Sequence, residues 1–398
     1  MLYKLLKRLA IALYHRMCIY LPVKENRIVF DSSLGRSYSG NPRAVLEYMV
    51  TNNYHKKWEC VWFYAKTPHP VPKEVKQVKF GGLKYLYYMA TAKAWVFDCR
   101  QPEWIVKRPG VIYVQTWHGT PLKKLGLDMT DVFMSNEESL EVYQEKFVQN
   151  VKRWDCLVSQ NRFSTVTFRK AFEYYKDWLE VGYPRNDLFF AKDKDYRCRE
   201  LKKKMNLPSG KKVILYAPTF RDDEFHKNAC YDFHPAMDFD RMKKELGKNA
   251  ILLVKYHYLV MEKIDWTPYK GFVYAFDAQY DISELMLVSD VLITDYSSVM
   301  FDFSIMRKPM FLFAYDLEKY RGKLRGFYMD YEKEMPGPIV ENTEDLIQAI
   351  KTYKAEQYKE RYDRFCRRYT PWDKGTASRK VTRYIEKRIE EPEENEVS

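Results

Sequence analysis

A histidine closes one run of β-branched and aromatic residues, VIYVQTW at 111–117. His118 is followed by Gly119, which lets the backbone pass close to a ligand, and by Thr120 and Pro121, which are typical of a helix start. An imidazole with an ordinary pKa near 6.5 can accept a proton at neutral pH. His118 is therefore a candidate general base, and the alternative is a structural histidine at a sheet edge.

A second group of polar residues closes the run DVLITDY at 290–296. Ser297 and Ser298 follow it and lead into a helical pattern, whose N-terminus would present backbone N–H groups and a partial positive charge. Their hydroxyls could donate to phosphate oxygens, while Asp295 could accept a hydrogen bond from a ribose hydroxyl. The pattern predicts a phosphate site, with ordinary helix capping as the alternative.

Two further cationic candidates follow other strand-like runs. Arg221 comes directly after KVILYAPTF at 212–220 and could hold a phosphate through two hydrogen bonds. His257 lies near the end of AILLVKYHY at 250–258, where it could bind the same phosphate or protonate a leaving group. A surface arginine and a buried structural histidine are the alternatives.

Three other patterns are excluded by their surroundings. The glycines of GRSYSG at 35–40 have the spacing of a Walker A loop, but Asn41 and Pro42 stand where lysine and serine or threonine are needed. No G-x-G-x-x-G sequence occurs, which argues against a dinucleotide site. Asp-x-Asp occurs at 193–195 and 238–240, but neither follows an apolar run, so no metal site is predicted.

The candidate residues need sheets whose strands end at a common edge, and the chain has two series of strand-like runs. Each run is followed by a polar loop and a helical pattern, which indicates parallel sheets covered by helices, with ligands beyond the carboxyl ends of the strands. A polar segment with a helical pattern at 191–212 predicts a domain junction. The predicted strands are 27–32, 59–65, 94–99, 111–117 and 155–160, then 212–220, 250–258, 271–276, 290–296 and 309–315.

The charge of the chain points to a polyanionic partner. Its 398 residues include 67 Lys and Arg against 54 Asp and Glu, a net charge of +13. Seven cysteines are scattered without a C-x-x-C pair, which favours a reducing compartment over a disulfide framework. A non-catalytic nucleic-acid-binding protein is one reading of the basic excess, although the basic residues form no dominant run.

The N-terminal segment has the pattern of an amphipathic helix. Its apolar stretch is broken at His15 and Arg16 and is too short to span a bilayer. Such a helix can lie on an anionic membrane surface, and the alternative is an ordinary helix packed on its domain. The residues of the apolar face are Leu2, Leu5, Leu6, Leu9, Leu13 and Met17.

The chain resembles the CDP-glycerol glycerophosphotransferases of Gram-positive teichoic acid synthesis. GRSYSGNPRAVLEYM at 35–49 is similar to the acceptor-side segment of the glycerol-phosphate polymerases. The resemblance implies a GT-B fold, in which two Rossmann-like domains face a central cleft. It also implies a CDP-glycerol donor, a polyprenyl-diphosphate-linked acceptor, no metal or other cofactor, and peripheral attachment to the cytoplasmic face of the membrane. The segments that carry it are WHGTPLKKLG (117–126), YPRND (183–187), LYAPTFRDD (215–223) and VLITDYSSVMFDF (291–303).

The resemblance also implies roles for individual residues. His118 would deprotonate an acceptor hydroxyl, whose oxygen attacks the β-phosphorus of CDP-glycerol and expels CMP. Relatives often have His-Pro where this chain has His257 and Tyr258. The residues implied to hold the pyrophosphate are Arg221, His257, Ser297 and Ser298, with Thr219, Thr294 and Asp295 near the nucleotide. The residues implied on the acceptor side are Asn41, Pro42, Gly119 and Lys123.

The predicted organisation is a membrane-binding segment at 1–22, an acceptor domain at 23–205, a donor domain at 206–389 and a disordered acidic tail at 390–398. Several alternatives stay open. The unit transferred could be ribitol phosphate, and the enzyme could be a primase, a polymerase or a capsule-polymer enzyme of the same family. A GT-B glycosyltransferase that uses a nucleotide-sugar is a further alternative, and a nucleic-acid-binding protein is a distant one.

Overall fold

The computed structural model describes residues 2–130, 139–219, 236–255, 264–277, 280–319 and 326–391. Within these ranges the chain forms two parallel sheets, and each sheet has an apolar core on both of its faces. The two parallel sheets expected from the alternating strand and helix patterns are therefore confirmed.

The first sheet has its strands in the order β3-β2-β1-β4-β5-β6-β7. All neighbouring pairs are parallel, so the strands end along one edge. The order of the first six strands is that of a Rossmann sheet. The strands are β1 Lys24–Asp31, β2 Glu59–Tyr64, β3 Lys76–Lys79, β4 Ala92–Phe97, β5 Ile112–Gln115, β6 Cys156–Ser159 and β7 Asp177–Glu180.

Helices cover both faces of the first sheet because its central strands are apolar on both sides. All six residues of β4 are buried, as expected for a central parallel strand. The helices on one face are α1 (Leu2–Tyr20), α3 (Leu83–Thr91), α4 (Leu140–Val151) and α5 (Arg162–Phe172), and α2 (Gly40–Thr51) lies on the other.

The second sheet has the order β10-β9-β8-β11-β12-β13, again with parallel pairs. The helix expected in the polar junction is present as α6 (Lys194–Lys204), which packs on the core of this second sheet. The strands are β8 Lys212–Ala217, β9 Ala250–Val254, β10 Val273–Ala275, β11 Val291–Thr294, β12 Met310–Phe313 and β13 Ile339–Val340. The helices after α6 are α7 (Phe239–Leu246), α8 (Ile282–Val288), α9 (Val299–Ser304), α10 (Leu317–Lys319), α11 (Tyr331–Glu334), α12 (Thr343–Thr352) and α13 (Ala355–Tyr369).

The last helix, α14 (Ala377–Glu390), returns to the first sheet. Its buried residues Ala377, Val381 and Ile385 belong to the same apolar cluster as Ile28 and Phe30 of β1. From the sequence this stretch is predicted to belong to the second domain, because composition carries no signal that the chain crosses back. The chain therefore passes between the two sheets twice.

Helix α1 has one packed side and one exposed side. Tyr14 is fully buried, and its hydroxyl donates to the carbonyl of Val106 at 2.6 Å. On another face of the helix, the side chains of Leu6, Leu9 and Leu13 are 55%, 59% and 37% exposed. Among the described helices, none is long and apolar enough to cross a bilayer.

Ten of the strands were predicted, and three described strands were missed. The missed ones, β3, β7 and β13, all lie at sheet edges, where few residues are buried. A short edge strand lacks the apolar run by which a buried strand is recognised. Several predicted strands also extend too far, and β5 ends at Gln115 rather than at Trp117.

Candidate functional site

The loop after β5 carries His118, and Trp117 anchors this loop. Trp117 has a φ of +52°, a left-handed conformation that a bulky residue rarely adopts. Its buried indole packs against Trp154, Phe168 and Phe172 of the core below. Because this packing fixes the turn at Trp117, the next side chain, that of His118, is directed out of the core.

The His118 ring is oriented by the end of the neighbouring strand β4. Its Nδ1 lies 3.0 Å from the carbonyl oxygen of Asp98, and a carbonyl can only accept, so Nδ1 carries the hydrogen. This tautomer leaves Nε2 unprotonated and able to take a proton. The Asp98 carboxylate is held in turn by the Ser32 hydroxyl at 2.5 Å and the Ser33 amide at 2.9 Å.

The side chain of His118 is exposed to solvent on one side, and many protein atoms lie around it in the cleft. Burial in the cleft lowers the pKa of His118 below 6.5, and the positive charges of Arg185 and Arg100 act in the same direction. The negative charge of Asp98 and the hydrogen bond to its carbonyl oppose this shift. The net effect keeps the imidazole neutral at pH 7, as a general base requires.

Gly119 brings the two domains into direct contact beside His118. A Cβ placed on Gly119 would lie 2.3 Å from the Oγ of Ser298 and 2.7 Å from its Cβ. Ser298 belongs to the loop between β11 and α9, on the second domain. The loop with the candidate base and the candidate phosphate loop therefore meet, and only a glycine fits between them.

The residues at the end of β11 divide into buried supports and groups that reach the cleft. The Thr294 hydroxyl donates to the carbonyl of Ala217 at 2.7 Å, and Asp295 accepts from the amide of Thr219 at 2.7 Å. Both side chains are buried, and they join the ends of β11 and β8. Ser297 and Ser298 are partly exposed, and the Ser298 side chain lies where the two domains meet.

Arg221 and His257, the predicted cationic groups, lie outside the described residues. Thr219 is the last residue of a described range, and its backbone amide donates a hydrogen bond to the Asp295 carboxylate.

The predicted acceptor-side residues occupy different environments. Asn41 and Pro42 begin α2 and are buried, and Asn41 donates from Nδ2 to the carbonyl of Trp117 at 2.9 Å. Lys123 pairs through its backbone with Phe327 of the second domain in an isolated antiparallel bridge. Asn41 thus supports the His118 loop from below, while Lys123 lies where the two domains are joined.

Beyond the predicted residues, a buried polar cluster joins the two domains behind His118. We call Gln160, Arg185, Asn186 and Asp302 the Asp302 cluster. Arg185 forms an ion pair with Asp302, and the amides of Gln160 and Asn186 donate to the same carboxylate at 3.0 Å and 2.8 Å. All four side chains are at most 9% exposed.

A second carboxylate, that of Asp373, touches the Asp302 cluster. It accepts from the amides of Gln160 and Asn186, each at 3.0 Å. Burial raises the pKa of Asp373 to about 7, and the nearby negative charge of Asp302 adds to the rise, while the hydrogen bond from Asn186 opposes it. Arg185 therefore neutralises Asp302, while Asp373 is held by the side-chain amides of Gln160 and Asn186.

The model of the CDP-glycerol:poly(glycerophosphate) glycerophosphotransferase family matches residues 13–387. The chain belongs to this family. The match covers the His118 loop, the Ser298 loop and the helix that returns to the first sheet, so the family assignment made from sequence is confirmed, as is the expected class of transferase.

Two curated members of the glycerophosphotransferase family illustrate the range of lengths. A teichoic acid poly(glycerol phosphate) polymerase of Bacillus subtilis is 43% identical over 93% of this chain, which spans only 50% of that protein. A teichoic acid glycerol-phosphate transferase of Staphylococcus aureus is 42% identical over 92% of this chain and 94% of the relative. The chain thus corresponds to half of the first relative and to nearly all of the second.

A solved structure of the wall teichoic acid polymerase TagF, a histidine-to-asparagine variant soaked with CDPG, has the same fold. It superimposes with a TM-score of 0.89 at 39% identity, covering 96% of this chain and 93% of that one. The predicted GT-B architecture is thereby confirmed for this member of the glycerophosphotransferase family.

The Asp302 cluster was not predicted from the sequence, although two signals were present. YPRND at 183–187 carries the family resemblance without a role for its residues, and Gln160 is the last residue of the predicted strand at 155–160. In the structure Arg185 and Asn186 come from that segment, and Gln160 lies just beyond β6. Polar residues at the carboxyl ends of buried strands were the available signal.

Proposed function

We propose that this chain transfers glycerol phosphate from CDP-glycerol to a hydroxyl group of a polyprenyl-diphosphate-linked acceptor and releases CMP. The observation that carries the proposal is the contact between the His118 loop of one domain and the Ser298 loop of the other. Each domain of the cleft thereby supplies one half of a phosphoryl-transfer site, a base for the acceptor and donors for the phosphate.

The reaction follows from this arrangement. Nε2 of His118 takes the proton of the acceptor hydroxyl as its oxygen attacks the phosphorus that bears the glycerol. A new phosphorus–oxygen bond forms, and the bond from that phosphorus to the CMP oxygen breaks, so CMP leaves with the electron pair. The charge of Asp98 stabilises the imidazolium, and the hydroxyls of Ser297 and Ser298 donate to oxygens of the pyrophosphate.

The remaining assigned residues support these steps. Asp295 and Thr294 hold the donor loop at the ends of β11 and β8. Arg221 and His257 are proposed to bind the pyrophosphate, in keeping with their positions at the ends of strand-like runs.

Product analysis tests the donor and the reaction together. The purified chain is incubated with CDP-glycerol, CDP-ribitol or a UDP-sugar and a lipid-linked acceptor, and products are identified by mass spectrometry. The expected result is release of CMP with addition of glycerol phosphate, and the number of units added separates a primase from a polymerase. Transfer from the UDP-sugar alone would contradict the proposal.

The pH dependence of kcat/KM is expected to reflect the protonation of His118. Because its pKa lies below 6.5, kcat/KM is expected to be level near pH 7 and to fall as the pH drops through the folded-state pKa. In the unfolded chain the pKa of His118 has its ordinary value near 6.5. As the pH falls below that value, the unfolded state binds the proton more readily than the folded state, so the free energy of unfolding decreases as well. Initial rates and urea unfolding between about pH 5 and 8 measure both effects. An acid limb centred above pH 7 would exclude His118 as the group responsible.

We also propose that α1 attaches the protein to the cytoplasmic face of the membrane. The exposed leucines Leu6, Leu9 and Leu13 share one side of the helix, and the exposed cations Lys7 and Arg8 lie beside them. Insertion of such leucines next to cations favours an anionic lipid surface.

Substitutions in α1 test this attachment better than a deletion, because deletion would also remove buried Tyr14. Leu9→Gln is expected to lower binding to anionic liposomes at least about tenfold, and a triple change that includes Leu6 and Leu13 at least about a thousandfold, from loss of about 1.5–3 kcal/mol per inserted leucine. The matched control is Val166→Gln on α5, since Val166 and Leu9 are 57% and 59% exposed. Liposome sedimentation measures binding, and equal loss in the control would count against the membrane role.

A further inference from the structure

The two residues that flank the dipeptide His118-Gly119 are both tied to one carboxylate in the other domain. That carboxylate belongs to Asp302, which lies four residues after Ser298 within α9. Asp302 is 1% exposed and reaches the His118 loop only through other buried side chains.

One connection runs to Trp117, the residue before His118. Asp302 pairs with the Arg185 guanidinium, and the Arg185 amide donates to the side-chain oxygen of Asn41 at 3.2 Å. Asn41 donates in turn to the carbonyl of Trp117 at 2.9 Å. This connection holds the residue whose left-handed backbone directs His118 outward.

The other connection runs to Thr120, the residue after Gly119. Gln160 donates from Nε2 to Asp302 at 3.0 Å, and its Oε1 accepts from the Thr120 hydroxyl at 2.6 Å. Thr120 also accepts from the Nδ2 of Asn161 at 2.9 Å. Gln160 and Thr120 are 0% and 2% exposed, so solvent does not replace these bonds.

We propose that the Asp302 cluster is a positioning device, which sets the distance between the His118 base and the phosphate-binding serines by holding both ends of the His118 loop against α9. The inference rests on the proposed glycerophosphate transfer. Asp302 itself touches neither substrate in this scheme, since it acts through Arg185, Asn41 and Gln160.

The expected effect is on the rate of transfer rather than on donor binding. The Ser297 and Ser298 loop keeps its own contacts when the His118 loop shifts, so CDP-glycerol affinity is retained. A displacement of about 1 Å at reacting groups can lower a rate about 10²-fold. A purely structural role would instead lower the melting temperature and leave kcat per folded molecule unchanged.

The test uses Thr120→Val, an isosteric change that removes the hydrogen bonds of the Thr120 hydroxyl with Gln160, Asn161 and Ser164 and leaves the Arg185–Asp302 ion pair intact. Asp302→Asn is the direct variant, but it leaves Arg185 buried without its partner charge and can fail to fold. Thr120→Ser keeps the hydroxyl and serves as the conservative rescue. Thr382→Val is the control for loss of a buried threonine hydroxyl, because Thr382 is buried in α14, outside the Asp302 cluster, and its hydroxyl donates to the Ser378 carbonyl at 2.9 Å.

Thr120→Val is expected to lower kcat by 10- to 100-fold, with KM and Kd for CDP-glycerol within threefold of the wild type. Thr120→Ser and Thr382→Val are expected to stay within threefold in kcat. The NMR titration of His118, which needs no turnover, is expected to move toward 6.5 in Thr120→Val only. The inference is overturned if kcat and the His118 titration of Thr120→Val match those of Thr382→Val. If the wild-type protein fails to use CDP-glycerol, the proposed reaction is overturned instead. The NMR titration of His118 would then still show whether the Asp302 cluster positions the His118 loop.

Discussion

Replacement of His118 by asparagine is expected to lower glycerophosphate transfer by about 10²–10⁴-fold, the usual contribution of a general base. Asparagine suits the test because its amide can still donate to the Asp98 carbonyl, as Nδ1 of His118 does at 3.0 Å. The variant therefore keeps the anchor of the loop and loses only the proton acceptor. His118→Ala removes both and is expected to be equally inactive.

The fold and the donor site should survive the loss of His118. Calorimetric binding of CDP-glycerol is expected to change less than threefold in His118→Asn, and the melting temperature by about 2 °C or less. The control is His55→Asn, since His55 also contacts a backbone carbonyl through Nδ1, that of Val50 at 3.1 Å, at a position outside the site. If His118→Asn retains more than about a tenth of the wild-type rate, His118 is not the base.

The second large effect is expected from Gly119→Ala. The added methyl would lie 2.3 Å from the Oγ of Ser298 and 2.7 Å from its Cβ. Rotation of the hydroxyl relieves only the first contact, so the backbone of one domain must move away from the other. We expect kcat to fall about 10²-fold, with a loss of stability of about 1–3 kcal/mol, the usual range for overpacking.

A double-mutant cycle isolates that contact. In a Ser298→Gly background both clashing atoms are gone, so Gly119→Ala is expected to lower kcat less than threefold further. Gly82→Ala is the control, because a Cβ on Gly82 would have its closest contact at 3.7 Å, with the Lys79 carbonyl. A Gly119→Ala variant as active as the Gly82→Ala control would show that the two loops do not need this close approach.

The sequence was informative wherever chemistry follows a buried strand. VIYVQTW and DVLITDY are recognisable as buried runs, and the loops after them, predicted to carry the site, lie against each other at Gly119 and Ser298. The predicted strands extend two residues beyond the observed ends, because Trp117 and Tyr296 have side chains typical of strands but lie in loops. Both aromatics are buried for another reason, which is to anchor a turn from the core side.

The Asp302 cluster could not be predicted from the sequence in the same way. Arg185 and Asp302 are 117 residues apart, and Gln160 and Asp373 are 213 apart. No local sequence pattern indicates a contact between residues so far apart in the chain. Each of these residues, taken alone, is typical of a polar surface. Only the docking of the two domains brings the side chains out of water and makes their mutual hydrogen bonds obligatory.

The return of α14 to the first sheet has a mechanical consequence. The chain leaves the first domain after Phe190 and comes back through Gly375, and these two crossings lie side by side: a Cβ on Gly375, whose φ is +69°, would be 2.5 Å from the Cβ of Phe190. The two adjacent crossings together restrain the two domains at one place. Their contact limits the displacement of one domain relative to the other at this point. An opening of the cleft that keeps this contact would pivot at the two crossings, and closure would bring the His118 loop back against Ser298.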